Sequence, residues 1–232
     1  MEKRIEMIDA LRGLSVVFMI FHHLVYDMCE FLGAPQWLFH NPLLDLIHYV
    51  FAALFILLSG VSSRFSRSNI KRGVKVLLIA FGIYLVTLFM DMPIRFGVLH
   101  LLGFCMVFYG LTHKAWDSVP DIIMPPLCAV LLVGSALAVH FIKIDTELLW
   151  MFGWTYPGFY SADYFPIFPW LFVFLLGTWI GKLIRENRFP KRFYETTVPF
   201  LPAVGKRSLL IYILHQPVLY GIVTAIRFIT EK

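Results

Sequence analysis

Residues 8–28 read IDALRGLSVVFMIFHHLVYDM. A helix needs about 20 mostly apolar residues to cross the hydrocarbon core of a bilayer. The stretch has that length, although it carries ionisable residues at Asp9, Arg12, His22 and His23. Its length and these polar residues argue against a cleaved signal peptide. We therefore predict that it stays in the protein as the first membrane-spanning helix.

Six further stretches have a similar length and apolar character: 45–63, 73–90, 97–113, 121–142, 165–184 and 207–226. Whole-chain composition agrees, because 59% of the 232 residues are hydrophobic and only 15% are charged, whereas an average soluble domain has about 25% charged residues. We predict an all-α, polytopic membrane bundle of about seven transmembrane helices, forming one domain over residues 1–232. Gly97, His100 and Gly103 interrupt the fourth stretch, so a re-entrant segment is the alternative there.

Lysine and arginine are distributed unevenly between the two sides of the membrane. With the N-terminus in the cytoplasm, 16 of the 20 basic residues fall on the inner side. These are Lys3, Arg4, Arg12, Arg64, Arg67, Lys71, Arg72, Lys75, Lys114, Lys182, Arg185, Arg188, Lys191, Arg192, Lys206 and Arg207, which leaves Arg95, Lys143, Arg227 and Lys232 outside. Since cytoplasmic loops carry an excess of basic residues, we expect the N-terminus inside and the C-terminus outside the inner (cytoplasmic) membrane of the cell. The bases are divided among short connectors, so membrane lipids are the expected partners and nucleic acid is not.

Small and sulfur-containing residues indicate helix packing. Cys29, Cys105 and Cys128 are too widely spaced to indicate a disulfide framework or a zinc site, and we predict that they pack in the core. Gly177 and Gly181 form a GxxxG pair that would let another helix approach closely. We interpret the pair as structural packing, and a homodimer is a separate expectation for the protein.

Ionisable residues inside spans are costly and usually mark functional sites. In the predicted topology most of them collect in the outer half of the membrane or beside the outer connectors. They are His22, His23, Asp27, His40, His48, Asp91, Arg95, His100 and Asp163, with His215 near the middle of the seventh span.

The first span places polar residues on one helical face. Arg12 and His23 are eleven residues apart, which brings them within about 20° of each other and separates them by about 16 Å along the axis. Asp27 follows one turn later, and a carboxylate behind His23 would suit this imidazole to general base catalysis. The alternative is that Asp9 and Arg12 form a helix-start pair and His23 is a hydrogen-bonded core residue. His22 faces about 100° away and is interpreted as structural; no histidine spacing indicates a metal site.

Several segments resemble known membrane enzymes. Residues 4–27, RIEMIDALRGLSVVFMIFHHLVYD, resemble the opening helix of transmembrane acyltransferases, in which an Asp-x-x-Arg-Gly element (here Asp9, Arg12 and Gly13) precedes a functional polar residue (here His23). Four later segments are similar to bacterial relatives of the heparan-α-glucosaminide N-acetyltransferase catalytic domain. They are FILLSGVSSRFSR (55–67), FGVLHLLGF (96–104), DYFPIFPWLFVFLLGTWIGK (163–182) and SLLIYILHQPVL (208–219).

The resemblance implies transfer of an acetyl group from cytoplasmic acetyl-CoA to a sugar hydroxyl or amine at the outer face. In that reaction His23 acts either as a base or as an acyl carrier. Asp27, His40 and His100 are the further catalytic candidates, and His40 lies in the loop that carries a second active-site histidine in the lysosomal relatives. The candidates for binding the CoA donor are Arg12, Lys71, Arg72, Lys75 and His215, of which the four basic residues would neutralise its phosphates.

The resemblance has departures. The lysosomal enzyme is longer and has Asn and Gln where this chain has His23 and His100, so its acceptor does not transfer to this chain. Two other functions stay open from the residues alone. One is a proton-coupled transporter of small solutes that uses the intramembrane histidines and aspartates, although the internal repeats of many transporters are missing. The other is a non-enzymatic membrane module.

Overall fold

A computed structural model describes residues 4–144 and 146–230. Lys3 and Lys232, which were counted for the orientation, lie outside these ranges. The described residues include seven helices that are long and apolar enough to cross a membrane: α1 (Glu6–Phe31), α2 (Pro42–Ser63), α3 (Asn69–Phe89), α4 (Val98–Asp117), α5 (Met124–Phe141), α6 (Ile167–Arg185) and α9 (Ser208–Thr230). Two short helices, α7 (Lys191–Glu195) and α8 (Leu201–Lys206), lie between α6 and α9 along the chain. The all-helical, polytopic architecture is thus confirmed, whereas the orientation of the termini stays a prediction.

The fourth predicted span is an uninterrupted helix. Its 20 residues correspond to about 30 Å of rise, enough for the hydrocarbon core. The glycines of α4 serve close packing against α3. A Cβ atom added to Gly103 would lie 2.6 Å from Leu77 Cγ, and one added to Gly73 would lie 2.7 Å from the Gly103 carbonyl oxygen. The glycine-rich pattern therefore marks a tight helix pair rather than a break.

The chain divides into two compact units, with the boundary inside α2. The terminal unit comprises the residues up to Leu58 and those from Phe189 onward, and the central unit is Ser59–Arg188. The single domain over residues 1–232 stays a prediction.

In the terminal unit, α1 is the helix around which the others pack. The short α8 lies so close to the start of α1 that a Cβ on Gly13 would collide with the Leu201 carbonyl oxygen. A Cβ on Gly205 would likewise collide with the carbonyl oxygen of Asp9. Further along α1, Phe18 stacks on Phe51 of α2 with ring centroids 3.9 Å apart, and α9 packs alongside.

In the central unit, α3 pairs with α4 and α5 pairs with α6. The end of α2 contacts α6, because Cβ atoms on Gly60 and Gly181 would meet the Phe174 and Val61 carbonyl oxygens, respectively. The close approach expected at Gly181 therefore occurs within the chain. The three cysteines are buried and form no disulfide among the described residues, which confirms that Cys29, Cys105 and Cys128 pack in the interior.

Ion pairs connect the ends of helices within the central unit. Arg64, just after α2, donates to the Thr178 carbonyl oxygen at 2.9 Å and also pairs with the Asp117 carboxylate. Asp121, between α4 and α5, accepts from Lys182 at 2.7 Å and from Arg188 at 2.8 Å. The Lys182 hydrogen bond lowers the pKa of Asp121 below its ordinary value, and Arg188 acts in the same direction.

Many large apolar side chains point away from the protein interior. On α3, Leu78 and Phe89 are 67% and 87% exposed, and on α5, Val130 is 68% exposed. Exposed apolar surface on this scale is unfavourable in water but is suited to contact with lipid tails. The helices therefore fit a multi-pass protein in a bilayer.

Candidate active site

Two histidines from α1 and α9 meet in the terminal unit. His215 Nε2 lies 2.9 Å from His23 Nδ1, and the ring centroids are 4.9 Å apart. On its other side, His215 Nδ1 lies 2.6 Å from the Tyr212 carbonyl oxygen. Both rings are partly buried, and both nitrogens of His215 and the Nδ1 atom of His23 lie within hydrogen-bond distance of a partner.

The hydrogen-bond partners fix the tautomers of the neutral pair. A carbonyl oxygen only accepts, so His215 Nδ1 carries the proton and donates to Tyr212. In neutral His215 the Nε2 atom is then the acceptor, and His23 Nδ1–H is the donor. This assignment leaves His23 Nε2 with an uncommitted lone pair. The Nε2 atom of His23 is therefore chemically available as a base or nucleophile.

Asp27 has a different partner from the one expected. Its Oδ1 accepts from Gln216 Nε2 at 2.9 Å, one residue after the histidine that holds His23. Asp27 is fully buried, at 0% exposure, and its Oδ2 and the Gln216 Oε1 have no hydrogen-bond partner among the described residues. The group behind His23 is thus His215 instead of Asp27, and the carboxylate forms a second α1–α9 contact beside it.

A second pair of histidines lies beside the first. His22 stacks on His48 of α2 with centroids 4.1 Å apart, and it meets His23 edge to face at 5.8 Å. The Nδ1 atom of His22 is enclosed without a described partner. Phe39 covers the same ring at 5.3 Å, and the neighbouring His40 is exposed in the α1–α2 connector. His40 therefore belongs to the terminal unit, together with His23, but its ring is not held in the interior.

Arg12 lies near the start of α1 in an ion pair. Its Nη1 lies 2.9 Å from Asp9 Oδ1, and Arg4 approaches the other oxygen of the same carboxylate at 2.5 Å. Asp9 is only 3% exposed, so the buried carboxylate is neutralised by two guanidinium groups. The helix-start pair considered from the sequence is present, and Arg12 shares its charge with Asp9.

The remaining candidates belong to the central unit. His100 Nδ1 accepts from the Gly97 backbone N–H at 3.3 Å, which leaves Nε2–H as the donor of the neutral ring. His100 is therefore arranged as a hydrogen-bond donor rather than as a base. Lys71, Arg72 and Lys75 occupy the first two turns of α3, where both lysine side chains are exposed.

Comparison with protein-family models gives a match over most of the chain. A family model described as "Heparan-alpha-glucosaminide N-acetyltransferase, catalytic" matches residues 4–217. The chain belongs to that family. No curated protein and no solved structure matches the chain.

Membership in the heparan-alpha-glucosaminide N-acetyltransferase catalytic family confirms the resemblance seen in the sequence. The family is one of membrane acetyltransferases, which supports an enzymatic function with an acyl donor and an acyl acceptor. The matched residues begin before α1 and end inside α9, so they include both members of the His23–His215 pair.

Two contacts of this site were not anticipated from the sequence. His23 and His215 are 192 positions apart, and sequence separation gives no sign that they touch. The sequence did indicate that each histidine needs a polar partner, because both lie in predicted membrane spans. The same reasoning applies to His48, which the predicted topology places in the outer half of the membrane with His22.

Proposed function

We propose that the protein transfers an acetyl group from cytoplasmic acetyl-CoA to a hydroxyl or amine of a sugar on the outer side of the membrane. His23 is the residue that activates the acceptor. The observation that carries the proposal is the hydrogen bond between His23 and His215, which points the lone pair of His23 Nε2 away from its partner. Family membership supplies the reaction class.

The direct route uses His23 as a general base. Its Nε2 removes the proton from the acceptor O–H or N–H while the acceptor oxygen or nitrogen bonds to the thioester carbonyl carbon. The tetrahedral intermediate then breaks its carbon–sulfur bond, and the departing CoA thiolate takes the proton from His23. The reaction thus leaves no net proton on the protein, and positioned acid–base groups of this kind contribute roughly 10²–10⁴-fold to rate.

A covalent route uses the same atom. His23 Nε2 attacks the thioester carbonyl carbon, and CoA leaves as the thiolate while an acetylated imidazole forms. The acceptor then attacks the acetyl carbon, the bond from this carbon to His23 Nε2 breaks, and the acceptor proton passes to the thiolate. In this route the Nδ1–H bond to His215 stabilises the positive charge that the ring carries while it is acetylated. Detection of acetylated His23 after mixing with acetyl-CoA alone would distinguish it from direct transfer.

The donor side of the proposal rests on basic residues. Lys71 and Lys75 are one turn apart on an exposed face of α3, with Arg72 beside them, and ammonium and guanidinium groups suit the phosphates of CoA. Arg12 is a weaker candidate than these three, because Asp9 already neutralises part of its charge.

Measurement of acetyl transfer by the purified protein tests the proposal. The protein is placed in lipid nanodiscs with radiolabelled acetyl-CoA and a panel of amino sugars and neutral sugars, and both labelled product and released CoA thiol are followed. We expect His23→Ala to abolish transfer while CoA binding persists. His140→Ala is the matched control, because His140 is an exposed histidine at the end of α5 and should keep wild-type activity.

Two results would overturn the proposal. One is a wild-type protein that neither binds acetyl-CoA nor transfers label to any sugar. The other is transfer by His23→Ala at the rate of His140→Ala. Uptake of a solute driven by a pH gradient, with no acetylated product, would instead favour a proton-coupled transporter.

A further inference from the structure

Arg95 lies in the α3–α4 connector of the central unit and differs in its contacts from Arg12 and Arg64. Arg12 and Arg64 are also partly buried, and each contacts a carboxylate. Arg95 makes no ion pair with any carboxylate in residues 4–144 and 146–230. Its Nη1 donates to the Tyr156 hydroxyl at 2.8 Å, and its Cζ lies 5.8 Å from the Phe159 ring centroid.

The guanidinium has an unused edge. The Arg95 Nε atom is buried and has no hydrogen-bond partner, and no bond from Nη2 to a described group is present. Nε–H and one Nη2–H of arginine point in parallel and match the two oxygens of a carboxylate or phosphate. Since Tyr156 holds Nη1, the Nε–Nη2 edge is the one that is left for such a group.

Backbone contacts hold this connector in place. The Arg95 N–H donates to Ser161 Oγ at 3.0 Å, and the Phe165 N–H donates to the Phe96 carbonyl oxygen at 2.9 Å. Asp163 Oδ2 accepts from the Val98 N–H at 3.1 Å, so this carboxylate caps α4. The position of Arg95 is therefore fixed by two chain segments that hydrogen-bond to each other.

The charge of Arg95 is only partly compensated by its neighbours. A partly buried cation loses hydration, and a phenol and an aromatic ring return only part of that loss. Buried charges in proteins are normally paired. An anion that covers the Nε–Nη2 edge would satisfy both the charge and the unpartnered donor.

We propose that Arg95 is a binding site for an oxoanion, a carboxylate or phosphate group, that reaches the α3–α4 connector from the predicted outer side. The oxoanion belongs either to a soluble sugar acid or sugar phosphate or to a lipid headgroup, which share this chemistry. Tyr156 and Phe159 position the guanidinium. The site is built from residues of the central unit, whereas His23 and His215 belong to the terminal unit, and its existence does not depend on acetyl transfer.

Thermal unfolding of the purified protein in maltoside detergent tests this site, because a ligand that binds the folded state raises the unfolding midpoint. One arm adds sodium phosphate or sodium glucuronate, with sodium chloride at equal ionic strength as the reference. The other adds micelles of short-chain phosphatidylglycerol. We expect a saturable rise in at least one arm for the wild type, loss of that rise in Arg95→Gln, and retention in Arg227→Gln, which removes an exposed arginine that is also predicted to lie outside.

Each outcome bears on the proposal. A rise with soluble anions that depends on Arg95 identifies a solute, and a rise confined to phosphatidylglycerol identifies a lipid phosphate. If Arg95→Gln does not fold, Arg95→Lys replaces it in the test, because lysine keeps the charge but lacks the two parallel donors. We expect the apparent Kd of this variant for the anion to be roughly tenfold higher than that of the wild type. Equal midpoints with and without every anion in the wild type, or an equal rise in the Arg95 variants, would refute the site.

Discussion

Replacing His215 by phenylalanine removes the acceptor of the His23 Nδ1–H bond while it keeps a planar ring in α9. The lost contact is the 2.9 Å bond between the two rings. An enclosed donor that loses its partner costs about 1–3 kcal/mol. If that orientation is needed at the transition state, kcat/KM falls by about 5- to 150-fold, since each 1.4 kcal/mol is a factor of ten.

The assay is release of CoA thiol at saturating acetyl-CoA, with the best acceptor from the sugar panel varied to separate kcat from KM. His215→Gln should recover part of the loss, because its amide oxygen can accept from His23 Nδ1. His140→Phe controls for the replacement of a histidine by phenylalanine. A folded His215→Phe protein with kcat/KM within twofold of the control would show that His215 does not orient His23.

Three other changes have defined outcomes. Gly13→Ala should lower the free energy of unfolding by about 1–3 kcal/mol through overpacking. Gly134→Ala is the control, because its Cβ would meet nothing within 4 Å, and it should be neutral or stabilising by up to about 1 kcal/mol. Thermal or denaturant unfolding in detergent compares the two variants. Asp121→Asn should destabilise by about 0.2–1 kcal/mol at neutral pH. Because the pKa of Asp121 is lowered by folding, this difference should be constant above the unfolded-state pKa and disappear as the pH falls through the lowered value, as measured by unfolding midpoints from pH 7 to pH 3. Asp27→Asn should be as stable as the wild type or more so, since its amide can donate to Gln216 Oε1. Asp27→Ala leaves Gln216 unpaired and should lower the free energy of unfolding by about 1–3 kcal/mol. The same unfolding measurement compares both variants with the wild type.

The spanning helices could be predicted because each depends on a local property. A run of about 20 apolar residues has few other stable structures in a bilayer, where every backbone group must bond within its own helix. This rule located α1 and α9 within a few residues of their ends. The length rule predicted residues 97–113 least clearly, because their glycines suggest a break in the helix. In the structure these glycines allow close packing against α3.

Contacts between helices could not be predicted in the same way. Whether His215 faces His23 depends on how α9 is rotated about its own axis, and a difference of one residue turns a side chain by about 100°. The same uncertainty made Asp27 the expected partner of His23. Geometry within α1 alone placed it one turn away, but its Oδ1 is bonded by Gln216 of another helix. The small helix α8 was also missed, because its six residues are too few for a periodic signal.

The distance of 192 positions between His23 and His215 also concerns biosynthesis. Membrane helices are synthesised in order, and α1 is inserted long before α9 leaves the ribosome. Until then His215 is not available to accept from His23 Nδ1, so this bond cannot fix the tautomer of His23. If His23 is the base that we propose, it acquires this orientation only after α9 has been inserted, and a nascent chain that stops short of α9 lacks the group that orients it.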